Sequence, residues 1–177
     1  MPLFFLAGPT EGGGNWHQRM LKLLAERVGD CIVVDPSCYP SGHPLERQKM
    51  KGREGMFPRQ TDWERYYLHT AAEKWTAGCI IFWLPEESAD EPRTDGKPYT
   101  MNTSDAIGEW RGRLMFNRCL RVVVGAEPNF PGLSQIARNF EMALGNEFKL
   151  YDSMEGVVER AAYFADASHS FETRVRR

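Results

Sequence analysis

Short apolar runs recur along the chain and are separated by longer segments of mixed character. The runs are mostly continuous rather than alternating, which is typical of strands that are buried on both faces of a parallel sheet. They lie at residues 3–7, 31–34, 79–84 and 120–124, with a weaker fifth run at 148–151. The pattern therefore predicts five short strands.

Helical periodicity occupies the intervals between these runs. Apolar side chains recur three and four residues apart over 15–28, 62–77, 104–116 and 134–144, and again after Ser153. Asn15 and Ser153 are expected N-caps, and Asp62 opens the second helix. Because strand and helix alternate, the pattern predicts an α/β fold with a doubly wound parallel sheet.

The predicted elements form one domain over residues 1–165. The remaining residues, 166–177, are polar and end in basic side chains. We expect this C-terminal tail to be loosely ordered or to take part in a subunit contact.

Two connections are too long to be simple linkers. They run over 35–61 and 85–102, and each follows a predicted strand. Both therefore belong to the carboxyl edge of the sheet, where such folds bind ligands. With the strand order 2-1-3-4-5, the loops that meet at the topological switch point are 8–16 and 85–109.

Composition and charge exclude some classes of function. The chain has 177 residues, of which 42% are hydrophobic, and carries a net charge of −2, so nothing favours nucleic acid or an anionic membrane as a partner. No run of 18 apolar residues is present and the N-terminus has no basic region, so we expect a cytoplasmic protein without a membrane span.

Cysteine and histidine show no metal-binding pattern. The cysteines have no C-x-x-C spacing, and Cys31, Cys79 and Cys119 are interpreted as small buried hydrophobic residues. The scattered histidines are expected in surface or packing roles. We therefore expect no metal site.

The glycine-rich segment G8-P9-T10-E11-G12-G13-G14 follows the first strand. It matches neither a dinucleotide fingerprint nor a P-loop. Its glycines allow a ligand to approach the backbone closely, although a plain turn would also use them. Trp16 is expected either to stack on a planar ring or to pack under the first helix.

Two further segments carry candidate site residues. In D62-W63-E64, Asp62 is either a helix cap or a site residue, and Glu64 is either a first-turn acid or a hydrogen-bond partner and proton donor in the crevice. In the segment 102–110, Thr103 or Ser104 is expected to cap the helix, with Asp105 and Glu109 on similar faces.

Gly108 is expected inside the first turn of that helix. Glycine there costs about 1 kcal/mol relative to alanine, which suggests a close approach to the backbone. The alternative is a capped helix with solvated acids.

Together these segments resemble the nucleoside 2-deoxyribosyltransferase-like family. The motifs that carry the resemblance are F-L-A-G-P, D-W-E, I-I-F-W-L-P, T-x-x-x-I-G-E-W and V-V-V-G-A-E-P, in that order between residues 3 and 131. The resemblance implies a flavodoxin-like fold and cleavage or transfer of the N-glycosidic bond of nucleosides or nucleotides. It also implies a homo-oligomer and no cofactor.

In the family a glutamate attacks the anomeric carbon, and it stands two residues before a glycine. That position is Ala106 in this sequence, within A106-I107-G108. Without the carboxylate the usual covalent intermediate cannot form. A glutamate there would complete a capping-box spacing from Thr103. The chain is thus either an inactivated variant or a relative that has lost or moved its nucleophile, with Asp105 as the candidate for a shifted one.

The resemblance implies further roles for the remaining candidates. Asp62 or Glu64 would bind the base or donate its proton. The expected substrate-binding residues are Gly8, Pro9, Trp16, Trp63, Thr103, Ser104, Gly108 and Glu109, with Asp105 beside the sugar hydroxyls. Glu127 belongs either to this sheet edge or to a subunit interface.

Three rival functions remain open. One is a deoxynucleotide or modified-nucleotide hydrolase, in which basic residues would hold a phosphate or simply form a solvated loop. These residues are Arg47, Lys49, Lys51, Arg53 and Arg59. The second is a nucleotide-binding sensor without chemistry, which Ala106 favours. The third, an FMN protein, is weak because the first loop lacks a Ser/Thr-rich phosphate cradle.

Overall fold

The apolar runs form strands and the intervening segments form helices, as predicted. A computed structural model describes residues 1–37 and 60–175, with the side chains of 1–37 and 61–167. Its strands are β1 (Leu3–Ala7), β2 (Ile32–Val34), β3 (Cys79–Leu84), β4 (Val122–Ala126) and β5 (Leu150–Tyr151). Its helices are α1 (Trp16–Val28), α2 (Gln60–Ala72), α3 (Met101–Phe116), α4 (Leu133–Leu144) and α5 (Met154–Val175), with 3₁₀ turns at Lys74–Thr76 and Gly145–Glu147.

The strands form one parallel sheet in the order β2-β1-β3-β4-β5. The predicted flavodoxin-like α/β class is therefore confirmed, and the strand order is the one that places the switch point between β1 and β3. β3 is the central strand, and all six of its residues are buried. Its position explains why this run is the longest and most continuous of the apolar runs.

Helices cover both faces of the sheet and form two hydrophobic cores. Leu3, Phe5 and Ala7 face the core formed with α2, α3 and α4. Phe4 and Leu6 face the core formed with α1 and α5. Alternate residues of a strand point to opposite faces, so a continuous apolar run serves both cores.

Several boundaries differ from the prediction. β4 begins at Val122, because the Leu120 N–H donates to the Asn117 carbonyl oxygen in a turn after α3. β5 is reduced to two residues. Helix α5 continues without a break through residue 166, where the polar tail was predicted to begin, and ends at Val175.

The predicted cap of α5 is confirmed, because the Ser153 Oγ accepts a hydrogen bond from the Gly156 N–H at 3.4 Å. Asn15 precedes α1 as predicted, but its side chain makes no capping hydrogen bond. The prediction for the cysteines is confirmed for Cys79, which is buried, whereas Cys31 is only half-buried.

The prediction is wrong for Cys119, which is exposed. This residue lies in the turn before β4 rather than inside the strand. Within the described residues, no helix is long and apolar enough to cross a membrane.

Candidate functional site

A cavity of about 330 Å³ opens at the carboxyl edge of the sheet, beside the ends of β1 and β3. This carboxyl-edge cavity lies at the predicted switch point, where such folds bind ligands. Its walls include Phe5, Ala7 and Phe82 from the strands, Gly8 to Glu11 from the first loop, Glu64 and Leu68 from α2, Arg93, Asp95, Lys97 and Tyr99 from the segment 85–100, and Asn102, Thr103 and Ala106 around the start of α3.

The first loop, residues 8–15, is held tightly against the strands beneath it. A Cβ at Gly8 would lie 2.3 Å from the Trp83 carbonyl oxygen and 2.8 Å from Cζ2 of Trp16. Glycine is therefore required at this position for packing. Gly8 and Pro9 both line the cavity, as predicted for substrate-binding residues.

Trp16 packs under the first loop and does not line the cavity. Its indole N–H donates a hydrogen bond of 2.9 Å to the Pro9 carbonyl oxygen, and the residue is only 2% exposed. Of the two predicted roles, packing is the one that the structure supports. A planar ligand cannot stack on the Trp16 ring, because the protein already encloses this ring.

The buried residues His17 and Asp35 form a pair that also supports the first loop. His17 Nε2 lies 3.3 Å from the Pro9 carbonyl oxygen, and Nδ1 lies 2.7 Å from Asp35 Oδ1. The second contact has the distance of an ion pair but not the alignment of a hydrogen bond. The Ser37 N–H also donates to Asp35 Oδ1, at 2.9 Å, so the end of β2 is tied to α1.

The segment 85–100, which we call the strap, closes another side of the cavity. The Ser88 N–H donates to the Gly12 carbonyl oxygen at 2.6 Å and so joins the strap to the first loop. The buried Tyr99 hydroxyl donates to the Pro85 carbonyl oxygen at 3.0 Å. Burial raises the pKa of Tyr99 above its usual range, so the phenol stays protonated and remains a donor.

Three charged side chains of the strap, Arg93, Asp95 and Lys97, form an ion-pair group. Arg93 donates to both carboxylate oxygens of Asp95, at 2.5 and 2.7 Å, and the Lys97 backbone N–H donates to the same carboxylate at 3.1 Å. The hydrogen bond from Arg93 holds the pKa of Asp95 far below its usual range. Arg93 is thus engaged within the strap.

Glu127 anchors the beginning of the strap. Its Oε2 accepts a hydrogen bond from the Glu86 N–H at 2.8 Å, and its own N–H donates to the Leu84 carbonyl oxygen at 2.9 Å. The structure therefore places Glu127 at the carboxyl edge of the sheet, one of the two positions predicted for it, in a supporting role.

Helix α3 begins three residues earlier than predicted. Its N-cap is Thr100, and the Ser104 N–H already donates to the Thr100 carbonyl oxygen at 2.8 Å. The expectation that Thr103 or Ser104 caps the helix is therefore wrong. A capping-box spacing from Thr103 to position 106 is wrong for the same reason, because both positions lie inside the helix.

Inside α3, neighbouring residues face different surroundings. Thr103 is buried and Ala106 is half-buried, and both line the cavity. Ser104 and Asp105 are exposed and lie outside the cavity lining. The structure gives no support to Asp105 as a shifted nucleophile.

Gly108 is exposed, and an added Cβ would meet nothing within 4 Å. It is the eighth residue of α3, not a first-turn residue, and no other part of the described chain approaches it closely. The expected close approach at Gly108 is therefore not found.

Glu109 serves an ion-pair cluster outside the cavity. Its carboxylate accepts hydrogen bonds from Arg113 Nη2 at 2.7 Å and from Arg65 Nη2 at 3.1 Å. The hydrogen bond from Arg113 is the main cause of a lowered pKa of Glu109. This arrangement links α2 to α3.

The three residues of the segment D62-W63-E64 also face different surroundings. Glu64 lines the cavity, as one of its two predicted roles requires. It is the fifth residue of α2, so it lies past the first turn. Asp62 is exposed and is not part of the lining. Trp63 is buried in the core on the α2 side of the sheet and also lies outside the lining.

The cavity thus unites five of the predicted site residues: Gly8, Pro9, Glu64, Thr103 and Ala106. It excludes Asp62, Asp105, Trp16, Trp63, Ser104, Gly108 and Glu109. The predicted basic residues Arg47, Lys49, Lys51, Arg53 and Arg59 lie outside the described residues. Within the described ranges, no group of three or more His, Cys, Asp or Glu side chains could hold a metal ion.

Comparison of the chain with protein-family models, curated proteins and solved structures finds no match.

Proposed function

We propose that the carboxyl-edge cavity binds a nucleoside or nucleotide and that its chemistry is cleavage or transfer of the N-glycosidic bond. Position 106 would be the position of the nucleophile in a double displacement. The observation that carries the proposal is that Ala106 on α3 and Glu64 on α2 line the same cavity, at the switch point between β1 and β3.

The proposed reaction needs two carboxyl groups that reach the same glycosidic bond, and positions 106 and 64 line the same cavity. A carboxylate at position 106 would form a C–O bond to the anomeric carbon while the C–N bond breaks. The electron pair of that bond leaves with the base, and we assign to Glu64, a carboxyl group of the cavity lining, the donation of a proton to the departing nitrogen. Water or a second base then attacks the same carbon, the C–O bond to the carboxylate at position 106 breaks, and the attacking group gives its proton to Glu64, so that the sugar leaves as the free sugar or as a new nucleoside.

With a methyl group at position 106, this route is closed. The chain as it stands is then expected to bind substrate without forming a glycosyl intermediate. Asp105 does not replace the missing carboxylate, because its side chain is exposed outside the cavity lining. Replacing Ala106 by glutamate would place a carboxylate on the helix position that faces the cavity.

The test compares the unmodified chain with the variants Ala106→Glu and Ala106→Gln. Glutamine has nearly the shape of glutamate but is not a comparable nucleophile, so it controls for the added bulk. Each protein is incubated with nucleosides, deoxynucleosides and their monophosphates, with and without a second free base, and base release is followed by chromatography. Base release by Ala106→Glu alone supports the proposal.

The acceptor requirement in the same assay separates transfer from hydrolysis. Release that requires the second base indicates a transferase, whereas release in water alone indicates an N-glycosidase. Absence of turnover by Ala106→Glu on every substrate contradicts the double-displacement route.

A second candidate is a nucleotide-binding module without chemistry, and Ala106 itself favours it. It predicts that nucleosides or nucleotides bind to the given chain, measured by calorimetry, while Ala106→Glu stays inactive. Homo-oligomer formation also stays a proposal, and analytical ultracentrifugation of the full chain tests it directly.

A further inference from the structure

A second, larger cavity lies at the opposite edge of the sheet. This amino-edge groove has a volume of about 600 Å³ and lies where β4 begins, between the turn after α3, the residues that lead into β5, and α5. It shares no lining residue with the carboxyl-edge cavity. The proposed function does not use it.

The groove is lined by positive charge. Its walls carry five basic side chains: Lys74, Arg118, Arg121, Lys149 and Arg160. Glu147 is the one acidic side chain in this lining, and it is already paired with Arg118 at 3.2 Å. This concentration of positive charge stands in a chain whose net charge is −2. A cleft lined by one sign of charge focuses the field and attracts counter-ions of the opposite sign.

Two guanidinium groups converge on one aromatic ring in the groove. The Cζ atoms of Arg121 and Arg160 lie 5.0 and 4.6 Å from the centroid of the Phe164 ring. Arg121 also donates to the Phe164 carbonyl oxygen at 3.2 Å. Burial, and the positive charge of Arg160, lower the pKa of Arg121, although the neighbouring Cys79 opposes this effect. The positive charges of the two groups repel each other, so an anion that binds both of them is stabilised.

Other basic side chains of the groove rest on aromatic faces rather than on carboxylates. The Lys149 Nζ lies 4.7 Å from the ring centroid of Tyr151, and Arg160 also lies over Tyr163 at 4.9 Å. Among the described residues, no carboxylate lies within ion-pair distance of Lys74, Lys149 or Arg160. No carboxylate of the described residues therefore neutralises these three charges.

We propose that the amino-edge groove is a binding site for a ligand that carries several phosphate groups. Arg121 and Arg160 would bind one end of the phosphate chain, since guanidinium groups bind phosphate oxygens in pairs. Lys149 and Lys74 would act as point charges along it. The volume is in the range of small-molecule pockets. The source of the phosphate chain is either a nucleoside triphosphate or a free oligophosphate, and the test distinguishes them.

Cys119 provides a local readout, because it is exposed and lines the same groove. The full chain is treated with iodoacetamide in EDTA, and the rate of alkylation at Cys119 is followed by peptide mass spectrometry. The rate is measured with increasing tripolyphosphate, with ATP, and with sodium chloride at matched ionic strength. We expect saturable, severalfold slowing by at least one of the two phosphate ligands and little slowing by chloride.

The variants Arg160→Gln and Arg160→Gln/Lys149→Gln are expected to lose this protection. Lys22→Gln is the matched control, because Lys22 is an exposed cation on α1 outside the groove. Circular dichroism checks that every variant is folded. The readout is confined to Cys119, so ATP bound in the carboxyl-edge cavity does not imitate a positive result.

The outcomes are separable. Equal protection by both ligands identifies the phosphate chain as the recognised group, whereas stronger protection by ATP shows that the nucleoside also contributes. The proposal is overturned if neither ligand protects Cys119, if chloride protects as well as they do, or if the double variant is protected like the unmodified chain.

Discussion

The Trp16 indole N–H donates a 2.9 Å hydrogen bond to the Pro9 carbonyl oxygen. This bond fixes the first loop to α1 directly beside the carboxyl-edge cavity. With His17 Nε2, 3.3 Å from the same carbonyl oxygen, it connects two side chains of the helix to a backbone segment that lines the candidate site.

The substitution Trp16→Phe removes this hydrogen bond and part of a buried ring. Loss of the donor and of packing together is expected to lower the free energy of unfolding by about 1–3 kcal/mol. Urea unfolding measures the change. Trp75→Phe is the control, because Trp75 is 76% exposed and its replacement should change stability by less than about 0.5 kcal/mol. Equal effects of the two substitutions would contradict the assigned role of Trp16.

The two glycines Gly8 and Gly108 should respond to alanine in opposite directions. Gly108→Ala adds a methyl group in open space on a helix, so it should stabilise the protein by up to about 1 kcal/mol. Gly8→Ala places a Cβ against the Trp83 carbonyl oxygen and should destabilise it strongly. Thermal unfolding of both variants is the measurement.

The same Gly108→Ala variant also tests the site. Because Gly108 lies outside the cavity lining, ligand affinity should be unchanged. A marked loss of affinity would show that a ligand does approach this backbone.

Glu109 should make stability depend on pH. Its pKa is lower in the folded chain than in the unfolded chain, mainly because of Arg113. The stabilisation is thus present above the unfolded value of about 4.3 and is lost as the pH falls through the folded value. Glu109→Gln should cost about 0.5 kcal/mol at pH 7, with the difference disappearing in acid.

The measurement is urea unfolding of the two proteins from pH 7 down to pH 3. Glu141→Gln is the comparison, because that carboxylate is more exposed and lies 3.4 Å from Arg138. A Glu109→Gln difference that stays constant with pH would indicate a packing effect instead of an ion pair.

Glu64 should affect turnover more than binding. In the Ala106→Glu background, Glu64→Gln removes the proposed proton donor, so kcat should fall by about 10²- to 10⁴-fold. Asp62→Asn, two residues away on α2 and outside the cavity lining, should leave kcat nearly unchanged. Steady-state kinetics of both variants, with a substrate that Ala106→Glu converts, measures the two kcat values.

If kcat falls equally in both variants, Glu64 has no special role. Rescue of Glu64→Gln by substrates with better leaving groups would support proton donation, because such bases need less protonation as they depart.

The sheet could be predicted from the sequence because each buried strand is a continuous apolar run. Such a run is visible in the sequence without knowledge of which strands pair with it. The start of α3 could not be predicted, because the first helical hydrogen bond, from the Ser104 N–H to the Thr100 carbonyl oxygen, is made by backbone atoms. Side-chain preferences at Thr103 and Ser104 therefore indicated the wrong cap.

The candidate site was predicted in its location and only partly in its residues. Loops after β1 and β3 must meet at one edge, which brought Gly8, Pro9 and Ala106 together. The contact of His17 with Asp35 was missed, although an aspartate directly after the second apolar run was a signal for it. Adjacent helical residues point in different directions, so Ala106 lines the cavity whereas Asp105 does not.

The strap hydrogen bonds have a consequence for the kinetics of ligand capture. The Ser88 N–H holds the strap against the first loop, the Glu86 N–H donates to Glu127 just after β4, and the Tyr99 hydroxyl joins the two ends of the strap to each other. The ordering entropy of that wall is therefore spent during folding and not during binding. On this side of the cavity, association needs no closing movement, so differences in affinity among ligands should lie mainly in their dissociation rates.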